Sequence, residues 1–507
     1  MDTARTFFGH PRGLATLFFT EFWERFSYYG MRAVLILFMT APVAAGGLGF
    51  DAARAGVIYG TYTALVYLAA LPGGWLADRF LGQRRAVLYG GGVIMLGHVC
   101  LAVPSLASFY VGLGCIVAGT GLLKPNVSAM VGALYAPDDA RRDAGFSLFY
   151  MGINLGAFLA PLVCGWLAQG EGFGALLESF GWRREAAWHW GFGAAAVGMF
   201  FGLVQYLGGW RLLGDAGLRP VVPDAAAERV RSRRQLVAAL AGIGLGGAVL
   251  AALVRSGVVP ATPEGLGNAF GVVLLIVTVA FFAGLLGARG WTREERARLM
   301  TILVLFLAAA IFWSVFEQAG STLNLFAERS TETRLFGRAF PASWFQSANP
   351  VFIILLAPAF AWLWAHLGRR DPSSPAKFAA GLVFAAAGFG VMAVAAHLAA
   401  DGKVSPFWLL AAYLLHTIGE LCLSPVGLSA MSRLAPARVA GLMMGAWFLA
   451  AAVGNYLGGR VAGLYEALSL PSLFGAVTLI ALAAGVGLAL LVRPIERRLA
   501  TAQPDAA

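Results

Sequence analysis

The sequence has few charged residues for its length. Only 12% of its 507 residues are charged and 59% are hydrophobic, with a mean hydropathy of +0.74, whereas about 25% of the residues of a typical soluble protein are charged. This imbalance excludes a soluble globular protein and predicts an all-α protein that crosses a membrane many times. The formal charge of +11 does not indicate nucleic-acid binding, because most basic residues fall in loops between apolar segments.

Cysteine and histidine are scarce and scattered. The four cysteines lie in apolar segments without the spacing of a metal site or a disulfide framework, and the six histidines form no cluster. No nucleophile is paired with a base, so a membrane-embedded enzyme is not favoured, and we expect no metal and no organic cofactor. A cleavable signal peptide is not expected either, because Met1–Arg12 is polar and the first apolar segment is too long and too charged.

Apolar segments of about 20 residues, the length of a membrane-spanning helix, recur along the whole chain in groups of six, two and six. Basic residues concentrate in one set of alternate loops, including Arg229–Arg234 and Arg289–Arg298, which predicts that both termini are cytoplasmic. The Gly-rich stretch Gly242–Gly247 is expected to pack against another helix. The fourteen predicted spans are 14–41, 52–77, 85–104, 108–134, 144–168, 187–210, 236–254, 269–288, 298–326, 345–367, 376–397, 407–433, 439–463 and 472–493.

A weak internal repeat divides the chain into two halves. The segment Trp75–Arg85 at the end of the second span resembles Trp362–Arg370 at the end of the tenth span, which is the second span of the other half. Two parallel six-helix halves with a substrate site between them are the architecture of major facilitator transporters. We predict an N-terminal six-helix bundle over 1–210, a cytoplasmic connector with two additional helices over 211–297, and a C-terminal six-helix bundle over 298–507.

The first span is the most informative segment because it contains four charged residues. Each unpaired charge near the centre of a bilayer costs ~2.5–3.5 kcal/mol, so these side chains are expected to face a solvated, charge-paired cavity. The opposite face, with Trp23, Phe26 and Ile36, is expected to face lipid. A salt bridge that only locks helices together is the structural alternative. On a helix, an arc of roughly 140° contains Glu21, Glu24, Arg25, Tyr28, Tyr29 and Arg32.

Further polar and aromatic residues occur within the other spans, at positions where they could line a central cavity. Each could also be structural: His416 is expected to be a satisfied core histidine, and Trp313 and Trp447 could be packing or pocket walls. The asparagines could simply bridge helices. The candidate residues beyond the first span are Tyr67, Lys124, Asn154, Trp313, Glu317, Asn349, Glu420, Ser424 and Trp447.

The charges of these candidates differ between the two halves. The first half offers cations such as Arg25 and Lys124, and the second offers the anions Glu317 and Glu420. A zwitterion with its carboxylate toward the first half would match this polarity, and the Arg25 guanidinium suits a carboxylate because it can donate two parallel hydrogen bonds. Lys124 needs a counter-charge, which a glutamate of the first span could provide. The intramembrane carboxylates Glu21, Glu24 and Glu317 are candidate proton carriers.

Three segments resemble signatures of the proton-coupled oligopeptide transporter family of the major facilitator superfamily. Glu21–Tyr29 matches the family's Glu-x-x-Glu-Arg-Phe-x-Tyr-Tyr signature, and Phe149–Gly156 and Gly419–Ser429 resemble its fifth-helix and tenth-helix signatures. The resemblance covers nearly the whole chain, including the two extra helices of bacterial members. It implies a major facilitator fold and a symporter that imports di- and tripeptides with protons, in the bacterial inner membrane and as a monomer.

The resemblance also implies roles for individual residues. Arg25 and Lys124 would hold the peptide carboxylate, while Glu420, with Asn154 and Asn349, would hold the amino terminus. The residues that line the pocket would include Tyr28, Tyr29 and Tyr67.

Proton coupling would use Glu21 and Glu24, and Glu317 would form with Arg32 a pair that breaks when a proton arrives. One departure from the family is Phe316, which stands where some members have a second acidic residue, so the number of protons moved stays open. Two alternatives stay open as well: a relative that moves nitrate or a drug-like anion, and a peptide sensor without transport.

Overall fold

The computed structural model describes residues 6–136, 138–220, 226–335 and 337–500. Within these ranges the protein is built from sixteen α-helices and one small β-hairpin, whose strands are β1 (Arg334–Leu335) and β2 (Arg338–Ala339). The helices are α1 (Gly13–Thr40), α2 (Ala52–Leu76), α3 (Gln83–Leu101), α4 (Leu106–Ala133), α5 (Arg142–Gln169), α6 (Glu171–Ser179), α7 (Ala187–Gly208), α8 (Ala226–Arg255), α9 (Pro263–Gly287), α10 (Arg293–Phe316), α11 (Thr322–Ser330), α12 (Ala348–Leu367), α13 (Ser374–Leu398), α14 (Phe407–Leu434), α15 (Ala440–Ala462) and α16 (Leu470–Ala500).

The long helices correspond to the predicted spans. In the part of the chain that the structure describes, twelve helices are long and apolar enough to cross a membrane. The long helices α1 and α3 fall below that threshold, α1 because of its four charges and α3 because arginines and glycines lower its hydropathy. The predicted all-α membrane fold, with two six-helix bundles and two additional helices between them, is confirmed.

The helix α1 is enclosed by protein rather than exposed on one side. Phe26, Ala33 and Ile36, on the face expected to meet lipid, are all buried. Glycines of α7 let it approach this face closely: a Cβ atom on Gly202 would lie only 2.9 Å from the Cβ of Trp23. The expectation of a lipid-facing surface was therefore wrong for Phe26 and Ile36, because α7 covers most of the apolar side of α1, whereas Trp23 is only partly buried.

The ninth predicted span, 298–326, is not one continuous helix. The helix α10 ends at residue 316, a 3-10 turn covers Glu317–Gly320, and α11 then continues the span. The freed carbonyl oxygen of Ala319 accepts hydrogen bonds from the Gln346 amide and, at 3.3 Å, from the Tyr413 hydroxyl. Irregular backbone occurs at membrane depth only where it is buried in protein or lines a cavity. The break therefore indicates that the backbone around Glu317 is shielded from lipid.

The two additional helices differ in how they contact the rest of the chain. The helix α9 packs on α2 and α15, and the Tyr456 hydroxyl of α15 donates to the Gly267 carbonyl at 3.2 Å. In α8, by contrast, no described neighbour lies within 4 Å of a Cβ built on the glycines of Gly242–Gly247. The expected packing role of this stretch is therefore not met within the described chain. Residues 221–225 of the predicted connector lie outside the described ranges.

The two bundles meet at one side of the molecule. We call the face with the start of α1 and the end of α16 the terminal face, and the other one the opposite face. Near the opposite face, Asn324 of α11 donates to the Ala33 carbonyl at 2.7 Å, and Ser347 donates to the Phe158 carbonyl at 2.7 Å. Among the described residues, α4 and α5 form no extensive interface with α14 near the terminal face. The conformation is therefore closed at the opposite face.

Candidate functional site

The first-bundle part of the site is a cluster of three charges on α1. The Arg25 Nε atom lies 3.0 Å from Glu21 Oε1 and 2.5 Å from Glu24 Oε2, and all three side chains are buried. These are ion pairs by distance, but their angles do not make hydrogen bonds: both Oε atoms of Glu24 and the Arg25 Nη2 atom have no hydrogen-bond partner among the described residues. The Arg25 guanidinium thus pairs with two carboxylates, and its Nη2 atom remains available to donate to a ligand.

The position of Lys124 corrects one sequence expectation. Glu21 and Glu24 pair with Arg25 instead of providing the counter-charge of Lys124. The Lys124 Nζ atom lies 4.3 Å from the centroid of the Tyr67 ring, a cation–π contact. The ammonium is still within electrostatic range of the carboxylates of Glu21 and Glu24. It is therefore a partly buried cation that forms no ion pair among the described residues.

An ion pair joins the two bundles at the break after α10. The Arg32 Nη2 atom lies 2.6 Å from Glu317 Oε2, and both side chains are buried. Arg32 Nε also donates to the Tyr59 hydroxyl at 2.7 Å, and the Tyr67 hydroxyl donates to Glu317 Oε1 at 3.4 Å. The structure thus brings Arg32 and Glu317 into direct contact, as the family resemblance implied.

Two residues that contact the Arg32–Glu317 pair were not among the candidates predicted from the sequence. Tyr59 holds the Arg32 guanidinium, and Gly320 leaves room for both, because a Cβ atom there would lie 2.8 Å from Arg32 Nε. A signal for Tyr59 was available: Tyr59, Thr63 and Tyr67 follow each other at intervals of four residues and form one polar stripe on α2. Nothing local in the sequence indicates Gly320.

The second-bundle part of the site is a carboxylate held by an amide. Asn349 Nδ2 donates to Glu420 Oε2 and to the Thr417 hydroxyl, both at 3.0 Å. Asn154 is buried, and its amide donates to the Tyr150 carbonyl of its own helix at 2.9 Å, so it does not bond Glu420 directly. Ser424, one helical turn after Glu420, is partly buried.

Aromatic rings lie close to these charged groups. The buried rings of Trp313 and Trp447 meet edge to face with centroids 6.4 Å apart, and Phe316 packs against Trp313 with centroids 5.5 Å apart. Tyr28 and Tyr29 lie under the guanidinium groups of Arg25 and Arg32, at 5.5 and 5.7 Å from the ring centroids. Phe316 thus replaces a charge by apolar surface beside Glu317.

His416 lies on the same helix as Glu420 but has a structural environment. Its ring is buried and stacks on Phe389 with centroids 5.3 Å apart. The core position agrees with the expectation, but neither ring nitrogen has a hydrogen-bond partner among the described residues, so the expected satisfied histidine is not found.

The arrangement can orient a molecule with two opposite charges. The Lys124 ammonium lies over the Tyr67 ring, and the Tyr67 hydroxyl donates to Glu317, so charged groups of both bundles lie close together. Cations lie on the first-bundle side and Glu420 on the second-bundle side. A zwitterion that spans the chamber would meet a complementary charge at each end.

Comparisons with known proteins agree with this arrangement. The model of the POT family matches residues 84–480. The peptide transporter YePEPT of Yersinia enterocolitica subsp. palearctica is 43% identical, over 97% of this chain and 96% of the relative. A di-/tripeptide transporter of Lactococcus lactis subsp. cremoris is 38% identical, over 97% of each chain. A crystal structure of peptide transporter POT in complex with sulfate is 44% identical, covers 97% of each chain and superposes with a TM-score of 0.88. This chain therefore belongs to the POT family, the proton-coupled oligopeptide transporters whose signatures its sequence resembles.

Proposed function

We propose that this protein is a secondary active transporter that imports di- and tripeptides together with protons across the bacterial inner membrane. The observation that carries the proposal is the chamber in which cations of one bundle face carboxylates of the other, bridged by Arg32 and Glu317. Relatives that are named peptide and di-/tripeptide transporters support the substrate class. Both termini lie in the cytoplasm in this proposal, so that the closed opposite face is the outer face.

The substrate would lie between the two bundles as a zwitterion. Its carboxylate would contact Arg25, whose Nη2 atom has no described hydrogen-bond partner, and Lys124, which has no ion pair within the described chain. Its ammonium would contact Glu420, which Asn349 orients, with Asn154 nearby. Charge-assisted hydrogen bonds at both ends select a free amino terminus and a free carboxylate.

The remaining chamber would take the body of the peptide. Tyr28, Tyr29 and Tyr67 offer hydroxyl groups and ring faces on the first-bundle side. Trp313 and Trp447 offer a large apolar wall on the other side, and Ser424 lies one turn from Glu420. Such walls accept many side chains, because burial of apolar surface is not directional.

Proton coupling would follow from the Arg32–Glu317 pair. In the charged state this pair holds the opposite face closed, because it joins α1 to the second bundle. A proton on Glu317 removes the attraction and lets the opposite face open, and loss of the proton to the cytoplasm restores it. Alternating access then consists of the two bundles rocking about the fixed site.

A second coupling element would be the α1 cluster. When a peptide carboxylate takes the Arg25 guanidinium, Glu21 and Glu24 lose part of their counter-charge and a proton on one of them becomes favourable. Each positive charge that moves inward with the substrate gains about 2.3 kcal/mol per 100 mV of inside-negative potential. This energy can concentrate a peptide that is itself neutral.

The division of the chain follows the same scheme. The bundles over 1–210 and 298–507 would be the two moving units, and 211–297 would be the connector with its additional helices. One chain contains every charged group of the scheme, which supports a monomer as the functional unit. No cofactor is required, because the proton is the coupling ion.

The test is uptake of labelled dialanine into proteoliposomes with an acidic exterior and an inside-negative potential. The wild type should accumulate the peptide, and collapse of the proton gradient should stop accumulation. Glu24→Gln should lose gradient-driven uptake, whereas Glu178→Gln, at an exposed carboxylate on α6, should retain it. Absence of uptake in the wild type, or full uptake in Glu24→Gln, contradicts the coupling scheme.

The same liposomes separate the alternatives. A transporter of nitrate or of a drug-like anion would show flux of that solute and no competition by dialanine. A peptide sensor would bind dialanine in a thermal-shift measurement but show no flux.

A further inference from the structure

A second cavity lies outside the central chamber, near the opposite face. Its volume is about 690 Å³, within the range of roughly 300–1,000 Å³ of small-molecule sites. Almost all of its walls are apolar, and they come from α5, from the turn before α12, from α12 and from the start of α14. Its main lining residues are Leu162, Trp344, Phe345, Phe352, Phe407 and Leu410.

The cavity is open toward the apolar outer surface of the bundles. Phe407, one of its lining residues, is 70% exposed, and the neighbouring α5 residues Leu159 and Val163 are exposed as well. In a protein that spans a membrane, such exposed apolar side chains at helix surfaces meet lipid tails. The occupant with direct access to this cavity is therefore a hydrocarbon chain from the bilayer.

A cation stands at the rim of this apolar space. Arg338, on strand β2 of the hairpin, lines the cavity and is exposed. No described carboxylate lies within ion-pair distance of its guanidinium. Arginine binds phosphate groups well, since its planar fork donates two parallel hydrogen bonds. An apolar slot with an unpaired arginine at its mouth matches a molecule with a hydrocarbon tail and a phosphate head.

The walls of the cavity belong to both bundles. Leu162 lies on α5 of the first bundle, while Trp344 and Phe352 belong to the second. The Trp344 Nε1 atom donates to the Leu162 carbonyl at 3.1 Å, and the Ser347 hydroxyl donates to the Phe158 carbonyl. Opening of the opposite face would separate α5 from this turn and dismantle the cavity.

We propose that this cavity binds one acyl chain of an anionic membrane phospholipid, with its phosphate on Arg338, and that the bound lipid stabilises the conformation closed at the opposite face. The stabilisation follows from linkage, because a ligand that binds only one of two conformations shifts the equilibrium toward it. The binding site itself does not depend on the substrate that the protein transports.

The test uses the full-length protein in phosphatidylcholine nanodiscs that contain a small fraction of phosphatidylglycerol with a diazirine near the end of one acyl chain. After irradiation, mass spectrometry of the digested protein should show labelling concentrated on segments 344–352 and 406–410. Unlabelled phosphatidylglycerol should compete with the probe, and phosphatidylcholine should not. Labelling spread evenly over the lipid-facing helices would overturn the proposal.

A pair of matched variants tests the role of the arginine. Arg338→Glu should lower labelling of the cavity about tenfold, the effect of one lost charge-assisted contact. Arg334→Glu makes the same charge change on the other strand of the same hairpin, at a residue that does not itself line the cavity, and should leave labelling unchanged. Ala348→Phe should exclude the probe by filling the cavity. Peptide uptake by each variant shows that it is folded, and equal losses in the two arginine variants would refute the phosphate contact.

Two further measurements separate other occupants and test the conformational part. If oleate or dialanine displaced the probe as well as phosphatidylglycerol does, the cavity would be a fatty-acid site or part of the peptide path, and the assignment would fail. Labelling should also fall in Glu317→Gln, which weakens closure of the opposite face. Undiminished labelling there would overturn the link between lipid binding and closure.

Discussion

Replacing Glu317 by glutamine tests the coupling between protonation and conformation most directly. The Arg32–Glu317 contact of 2.6 Å joins side chains that are only 6% and 7% exposed, so solvent screens it little. The substitution keeps the shape of the side chain, and its single carbonyl oxygen can still accept from Arg32 at the position of Oε2. The amide nitrogen then takes the place of Oε1 and cannot accept the hydrogen bond from Tyr67. What is removed is the negative charge, and Arg32 keeps only the Tyr59 hydroxyl, at 2.7 Å, as its other partner.

The expected magnitude follows from the burial of the pair. Removing one partner of a buried ion pair costs about 3–5 kcal/mol, and the lower end applies because glutamine keeps the hydrogen bond from Arg32. A loss of about 3 kcal/mol in the conformation closed at the opposite face shifts the equilibrium toward the open one by roughly 100-fold. The glutamine behaves as a permanently protonated glutamate, so the step in which the proton leaves is lost.

Two transport measurements on Glu317→Gln distinguish this effect from misfolding. Gradient-driven accumulation of labelled dialanine should fall by at least about tenfold, since the empty carrier cannot return through the closed state. Counterflow exchange of peptide at equal pH should persist, because exchange does not require proton release. Accumulation equal to that of the wild type, in a preparation with intact counterflow, would refute the role assigned to the pair.

Three further predictions concern the ends of the substrate and the opposite face. Arg25→Lys should raise the KM for dialanine uptake about tenfold, because lysine cannot make the bidentate contact to a carboxylate; an unchanged KM would remove Arg25 from the binding site. Glu420→Gln should weaken dialanine binding by roughly 10–100-fold through loss of a charged hydrogen bond, while weak binding of N-acetylated dialanine stays the same; an equal loss for both ligands would count against ammonium recognition. At the opposite face Glu466 accepts from Arg329 at 2.7 Å and from the Ala52 amide, and these hydrogen bonds, that of Arg329 first, hold the pKa of Glu466 below its ordinary value of 4.5. The Ala52 bond joins the two bundles and needs the charged carboxylate, so it should weaken as the pH at this face falls below about 4.5, and uptake by Glu466→Gln should lack that acid response.

The sequence was sufficient for the class of protein and for most of its helices. Low charge and long apolar segments identify the membrane-spanning helices from local sequence alone, because each span must satisfy its own backbone hydrogen bonds. The charged face of α1 was equally visible, since helical periodicity places Glu21, Arg25 and Arg32 on one side. Its apolar face was misassigned to lipid, because hydropathy does not distinguish lipid from another apolar helix such as α7.

Only the tertiary structure decided which charges meet. Arg32 and Glu317 are 285 residues apart, and no local pattern specifies that distance, because it depends on how the two bundles pack. The same is true of Glu24, which pairs with Arg25 rather than Lys124, and of the break at Glu317–Gly320, which exists because other helices satisfy the freed carbonyl of Ala319. The local sequence determines which segments form helices and which residues are polar. The packing between distant helices determines which polar groups contact each other.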